Sequence, residues 1–286
     1  LRKCLKLSVS DISQCSMSSH FLESLLKVSE KAANIARVCR QNQHLFKLLV
    51  QEKKSCEKNP RFIQDFKTLA DVLIQETVKH DIGRKPMRVK QGDSTVMQEQ
   101  GKCDILRKPA GPVASSSTIP TCENPGVLGI EPGSPRWEFV DIADHIHGEE
   151  SNLFCNTLGD TITVQIEKDQ SSTAALLSKV LGGDAEAAEL LAAEVHREML
   201  PEDINVGSTT FPHDIEVPLH QMAMWIDPID STAEYISGDE VKSAAGDVYQ
   251  SGLPCVTVLI GVFDRHTGAP VLGVINQPFF SRDGTV

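Results

Sequence analysis

The stretch Met222-Ala223-Met224-Trp225-Ile226-Asp227-Pro228-Ile229-Asp230-Ser231-Thr232 runs an apolar segment into two carboxylates, a proline and two hydroxyls. Met222 to Ile226 reads as a buried strand, being short, apolar and bounded by a turn signal. Pro228 fixes its own φ and biases Asp227 away from helix, so the strand is expected to stop there. Both carboxylates can then converge at the carboxyl end of a strand, where α/β proteins tend to bind ligands. Carboxylate oxygens suit Mg²⁺, which is commonly held by one or two of them plus substrate phosphate. Asp227 and Asp230 are therefore candidate metal ligands, with Ser231 and Thr232 facing a phosphate or an attacking water. A plainer reading competes, an Asp-Pro turn in which Asp230 or Ser231 caps a helix. The whole string D-P-I-D-S-T directly after an apolar strand favours the metal.

Other carboxylates bear on that choice. Glu149 and Glu150 lie in the acidic turn Gly148-Glu149-Glu150-Ser151. Most such pairs are solvated surface, but a Mg²⁺ site needs more carboxylates than the Asp227/Asp230 turn offers. Asp71, beside Leu69 and Ala70, is either a surface acid or an inward carboxylate that completes the metal set or orients a water with Thr232. Spacing does not choose between these. His145 and His147 form H-x-H without a partner at metal spacing. No Walker A motif, no G-x-G-x-x-G after a strand and no G-x-S-x-G elbow is present, which disfavours nucleotide triphosphates, dinucleotides and serine hydrolysis.

The 286 residues carry a net charge of −11, with Asp+Glu 39 against Lys+Arg 28, which argues against nucleic-acid binding. A metal could still supply local positive charge for a polyanion. Hydrophobic residues at 40% and charged residues at 23% are ordinary for a globular protein. No apolar run approaches a membrane span and none resembles a secretory signal. Eight cysteines without a C-x-x-C pair read as reduced thiols. A cytoplasmic, monomeric protein is expected.

Residues 1–17 read as a disordered tail, with Met17 the expected start. Residues 18–82 read as a helical pair. The first helix covers Phe21 to Val50, with Leu22, Leu25, Leu26, Ser29, Ala32, Ala33, Ala36 and Cys39 on one stripe; the second covers Arg61 to Lys79. Between Pro86 and Pro135 lie seven of the chain's 15 prolines and the run Ser115-Ser116-Ser117. Residues 83–136 are therefore expected to be a disordered, low-complexity insertion. Residues 137–286 read as an α/β domain. In it Thr161 to Ile166 is a strand and Ser171 to Leu200 is helical, broken at Gly182-Gly183. Cys255 to Phe263 and Pro270 to Ile275 form a hairpin.

Taken together, G-E-E-S at 148–151 and D-P-I-D-S-T at 227–232 resemble the lithium-sensitive, magnesium-dependent phosphatase superfamily. That superfamily includes the inositol monophosphatases, fructose-1,6-bisphosphatases and bisphosphate nucleotidases. Val28 to Arg37, Asp65 to Leu73 (D-F-K-T-L-A-D-V-L) and Cys255 to Phe279 are closest to its inositol polyphosphate 1-phosphatase family. The resemblance covers about 20–80 and 147–286. It implies an α+β fold, a layered α/β sandwich of which this chain carries the first half. It also implies that Glu149, Asp227 and the carbonyl of Ile229 hold one Mg²⁺, with Glu150 assisting, and that Asp227 and Asp230 hold a second. Asp71 and Thr232 would activate the attacking water, and Asp230, Ser231 and Thr232 would contact substrate. The implied substrate is inositol 1,4-bisphosphate or inositol 1,3,4-trisphosphate, losing its 1-phosphate, with Li⁺ as inhibitor. The family's late W-D motif lies outside these residues, so the chain is expected to be truncated and to have little activity alone.

Overall fold

The computed structural model describes residues 18–41, 46, 50–53, 57–58, 60, 65–84, 140–156, 158–204, 217–242 and 248–280. The expected tail at 1–17, and the expected insertion from residue 85 onward, lie outside the described residues.

The apolar stripe expected near the amino terminus is the buried face of helix α1 (Ser18–Gln41). The helix stops earlier than its periodicity suggests. Val50 has left it for strand β1 (Val50–Glu52), which pairs antiparallel with β2 (Phe66–Thr68). The second helix therefore starts later than expected, as α2 (Leu69–Arg84). Its start is set by a reciprocal cap. The Thr68 N–H donates to Asp71 Oδ2 at 2.7 Å, and the Asp71 N–H donates to Thr68 Oγ1 at 3.3 Å. That pairing satisfies donors that a helix start leaves without partners. Gly83 and Arg84 also belong to α2, two residues into the expected insertion.

A short helix α3 (Val140–Ala143) leads to strand β3 (Ile146–Gly148), which places His147 in the sheet. Strands β4 (Leu153–Cys155) and β5 (Thr161–Thr163) make an antiparallel pair, and the strand expected to reach Ile166 ends at Thr163. Helices α4 (Gln170–Val180) and α5 (Ala185–His196) are divided where expected, by Gly182 and Gly183, both at positive φ. Asp169 and Asp184 cap them by accepting from the N–H groups of Ser172 and Ala187.

Strand β6 (Met222–Asp230) is followed by α6 (Thr232–Ser237), the pair β7 (Glu240–Lys242) and β8 (Tyr249–Gly252), and the hairpin β9 (Thr257–Asp264) and β10 (Pro270–Asn276). The main sheet has the order β10-β9-β6-β3. β9 is antiparallel to both β10 and β6, whereas β3 and β6 are parallel. Alternate residues Met224, Ile226, Val258, Ile260, Val262, Leu272 and Val274 are buried, with α1 and α2 packed against the sheet. Mixed helix and strand around a mixed sheet make an α+β fold, as expected. Among the described residues no helix is long and apolar enough to cross a membrane.

Strand β6 does not stop at the Asp-Pro step. It continues to Asp230, but its register against β9 shifts between Asp227 and Asp230. Asp227 pairs with Leu259 and Asp230 with Thr257, so three steps on β6 face two on β9. One extra residue has been inserted as a bulge. Proline has no N–H to give the ladder and is tolerated at a bulge.

Helix α6 is anchored from below. Tyr235 is fully buried, and its hydroxyl donates to the Ala36 carbonyl of α1 at 2.9 Å. Removing only that hydroxyl, in Tyr235→Phe, is expected to cost about 1 kcal/mol in urea unfolding. Truncation by Tyr235→Ala is expected to cost about 4 kcal/mol, because it also opens a cavity between Phe46 and Phe279.

Candidate active site

Residues three apart on a regular strand point to opposite faces. The extra residue in β6 returns Asp230 to the face of Asp227, because their partners Leu259 and Thr257 lie two apart on β9. The parallel pairing of β3 with β6 places Gly148 beside Ile226, so Glu149 leaves β3 alongside Asp227. The Glu149 N–H donates to the Ile226 carbonyl at 3.1 Å and fixes that approach. Four carboxylates thus gather at the carboxyl ends of two adjacent parallel strands, where ligands of α/β sheets bind.

Their charges act on one another. Burial, then the charges of Glu149, Asp230 and Glu150, push the Asp227 carboxyl up to about 7. Asp227 Oδ1 is buried without a hydrogen-bond partner. A buried acceptor left unsatisfied is costly and calls for an explanation such as a bound ion. Burial also raises Glu150. Asp71, at 1% exposure, is raised by burial to about 8 even though Thr68 donates to it twice. Asp71 is therefore not a surface acid.

A buried lysine answers part of this charge. Lys53, which sequence reasoning passed over, places its buried ammonium 2.6 Å from Glu150, 3.3 Å from Glu149 and 3.4 Å from Asp65. Among the described residues no three His, Cys, Asp or Glu side chains stand close enough together to ligate an ion. Glu149 and Glu150 are drawn onto Lys53 instead. The donor set nonetheless fits a hard divalent cation, being all oxygen, with an unsatisfied atom on Asp227 and more acids than Lys53 can neutralise.

The helix-cap reading of Ser231 fares differently. Ser231 does occupy the position before α6, with left-handed φ 69° and ψ 48°, but its side chain makes no capping hydrogen bond. Thr232 Oγ1 donates to the Ile229 carbonyl at 3.0 Å, and Thr257 Oγ1 donates to Asp230 at 3.2 Å. α6 packs against β2, which brings the Thr232 helix to the strand that ends at Thr68.

With the fold and the acidic site in view, the comparisons add that a model of the inositol monophosphatase family matches residues 163–285. More particularly, the chain is similar to inositol polyphosphate 1-phosphatase of Mus musculus, 42% identical over 271 residues, covering 94% of this chain and 53% of that protein. The Homo sapiens protein of the same name is 41% identical over 266 residues, covering 93% and 52%. Golgi-resident adenosine 3',5'-bisphosphate 3'-phosphatase of Rattus norvegicus is 32% identical over 94 residues, covering 30% of the chain and 22% of that protein. The chain spans about half the length of the inositol polyphosphate 1-phosphatases it matches.

Two outcomes are expected without substrate. Lys53→Met leaves the buried Glu150 unpaired and should cost about 3 kcal/mol in urea unfolding. Asp227 and Asp71 have raised folded-state values, so each stabilises the fold most at low pH, where it is protonated in both states. That contribution is lost as pH rises from the ordinary carboxylate range through about 7 for Asp227 and about 8 for Asp71. Melting of the metal-free protein should therefore fall between pH 5 and 8, and by less in Asp227→Asn.

Proposed function

We propose that the protein is a Mg²⁺-dependent phosphomonoesterase that removes the 1-phosphate of inositol 1,4-bisphosphate and inositol 1,3,4-trisphosphate, is inhibited by Li⁺, and acts in the cytoplasm as a monomer. The unsatisfied Asp227 Oδ1 within a crowd of carboxylates carries the metal reading. The substrate reading is supported by similarity to inositol polyphosphate 1-phosphatases along nearly the whole chain.

Glu149, Asp227 and the Ile229 carbonyl would hold one ion, with Glu150 assisting; Asp227 and Asp230 would hold a second. When bound, Mg²⁺ polarises a phosphoryl oxygen and offsets its charge. The chain's own groups supply position and proton transfer. Thr232 spends its proton on the Ile229 carbonyl, so its oxygen is left to accept from a water. Asp71, held by Thr68 and raised to about 8, takes the water's proton, a value suited to a general base near neutral pH. Ser231 and Thr232 hydroxyls, with Asp230, contact the substrate.

The shorter match to an adenosine 3',5'-bisphosphate 3'-phosphatase supports a second reading, a bisphosphate nucleotidase. Both are tested in a chimera of residues 1–286 followed by the remaining half of the mouse relative. Mg²⁺-dependent phosphate release from inositol 1,4-bisphosphate is expected, falling by on the order of a hundredfold in Asp227→Asn. Faster release from adenosine 3',5'-bisphosphate would sink the inositol reading, and full turnover by Asp227→Asn would sink the metal assignment.

A further inference from the structure

We infer that Gln75 is a positioning residue that sets the Glu149–Glu150 turn from α2, and through it the places of the acids around a divalent cation. The inference rests on the metal reading above.

The geometry is specific. Gln75 is fully buried. Its Nε2 donates to the Glu150 carbonyl at 2.6 Å, and its Oε1 accepts from the Glu150 N–H at 2.9 Å. One side-chain amide thus satisfies both backbone groups of Glu150, as a neighbouring strand would. Among the described residues no strand pairs with the turn at Glu150, so without Gln75 its peptide would be buried with unpaired groups. Nε2 also reaches Glu76 Oε1 at 3.3 Å. Gly148 makes room for this contact, since a Cβ there would overlap the Gln75 amide oxygen. The glycine in G-E-E-S is therefore a consequence of Gln75 and not of a special φ.

Gln75 also stands four residues after Asp71, on the same face of α2. One rigid helix therefore carries the buried Asp71 carboxyl and the clamp on the acidic turn. The clamp is neutral, so it attracts no cation itself. Its effect is to hold the Glu150 backbone in one conformation, from which the Glu149 and Glu150 carboxylates project. Groups that orient ligands in this way are commonly worth ten- to hundredfold in metal affinity.

The test uses the 286-residue chain, with Mg²⁺ alone titrated by calorimetry and amide hydrogen exchange read at Glu150. In the unmodified protein the Glu150 amide is expected to be protected, and an unprotected amide overturns the inference outright. Gln75→Leu should keep its far-ultraviolet circular dichroism, lose that protection and bind Mg²⁺ about tenfold or more weakly. Gly148→Ala, which displaces the same amide from the other side, should weaken binding likewise and serves if Gln75→Leu fails to fold. Affinity equal to the unmodified protein's in either folded variant overturns the inference. Asp227→Asn separates the two readings. If it loses Mg²⁺ while Gln75→Leu keeps it, only the role of Gln75 falls. If the unmodified chain binds no better than Asp227→Asn, the metal reading falls, and the inference with it.

Discussion

Negative charge concentrated at the ends of β3 and β6 is the constraint on which the rest of this structure depends. Glu149, Glu150, Asp227 and Asp230 are brought together by strand pairing, and carboxylates at close range resist ionisation together. The protein answers with the buried ammonium of Lys53, which reaches Glu149, Glu150 and Asp65, and with the charge of buried Lys67, which also favours the Glu150 carboxylate. That is not enough: burial, together with the charges that remain, raises the Asp227 carboxyl, whose Oδ1 has no hydrogen-bond partner. An arrangement that costs stability in this way is common where a ligand is to be bound. The excess charge is what makes a cation fit.

The backbone that imposes this crowding is built from small departures from regular structure. A one-residue bulge at Pro228 and Ile229 lets two acids three apart share a face of β6. The parallel step from β3 to β6 sets the acidic turn beside them. The Thr68–Asp71 cap starts α2 at the point that buries Asp71, and four residues later Gln75 reaches the turn from the same helix. Each device is local, yet all of them serve one small volume.

Much of this was legible beforehand. The D-P-I-D-S-T string, the buried stripe of α1, the glycine break between α4 and α5, and the β9–β10 hairpin are local patterns, and local patterns survive folding. What was misjudged depended on distant partners. Val50 and Phe66 to Thr68 were assigned to helices because periodicity registers side-chain spacing and not pairing; each segment became a strand because the other was there to bond with it. β6 ran past its proline because β9 continued beside it, and the bulge absorbed the missing N–H.

The sequence by itself determined which groups were available: an oxygen-rich donor set, two hydroxyls after a proline, and the strings that mark a family resemblance. Types and short spacings are written directly in the chain. Tertiary structure alone decided that Asp71 is buried and raised, that Lys53 faces the acids, and that Gln75 holds Glu150 across 75 positions of sequence. Those outcomes depend on burial and on charges brought near from remote segments, neither of which has a local signature. A carboxylate's environment, and so its chemistry, was settled only when the helices closed over the sheet.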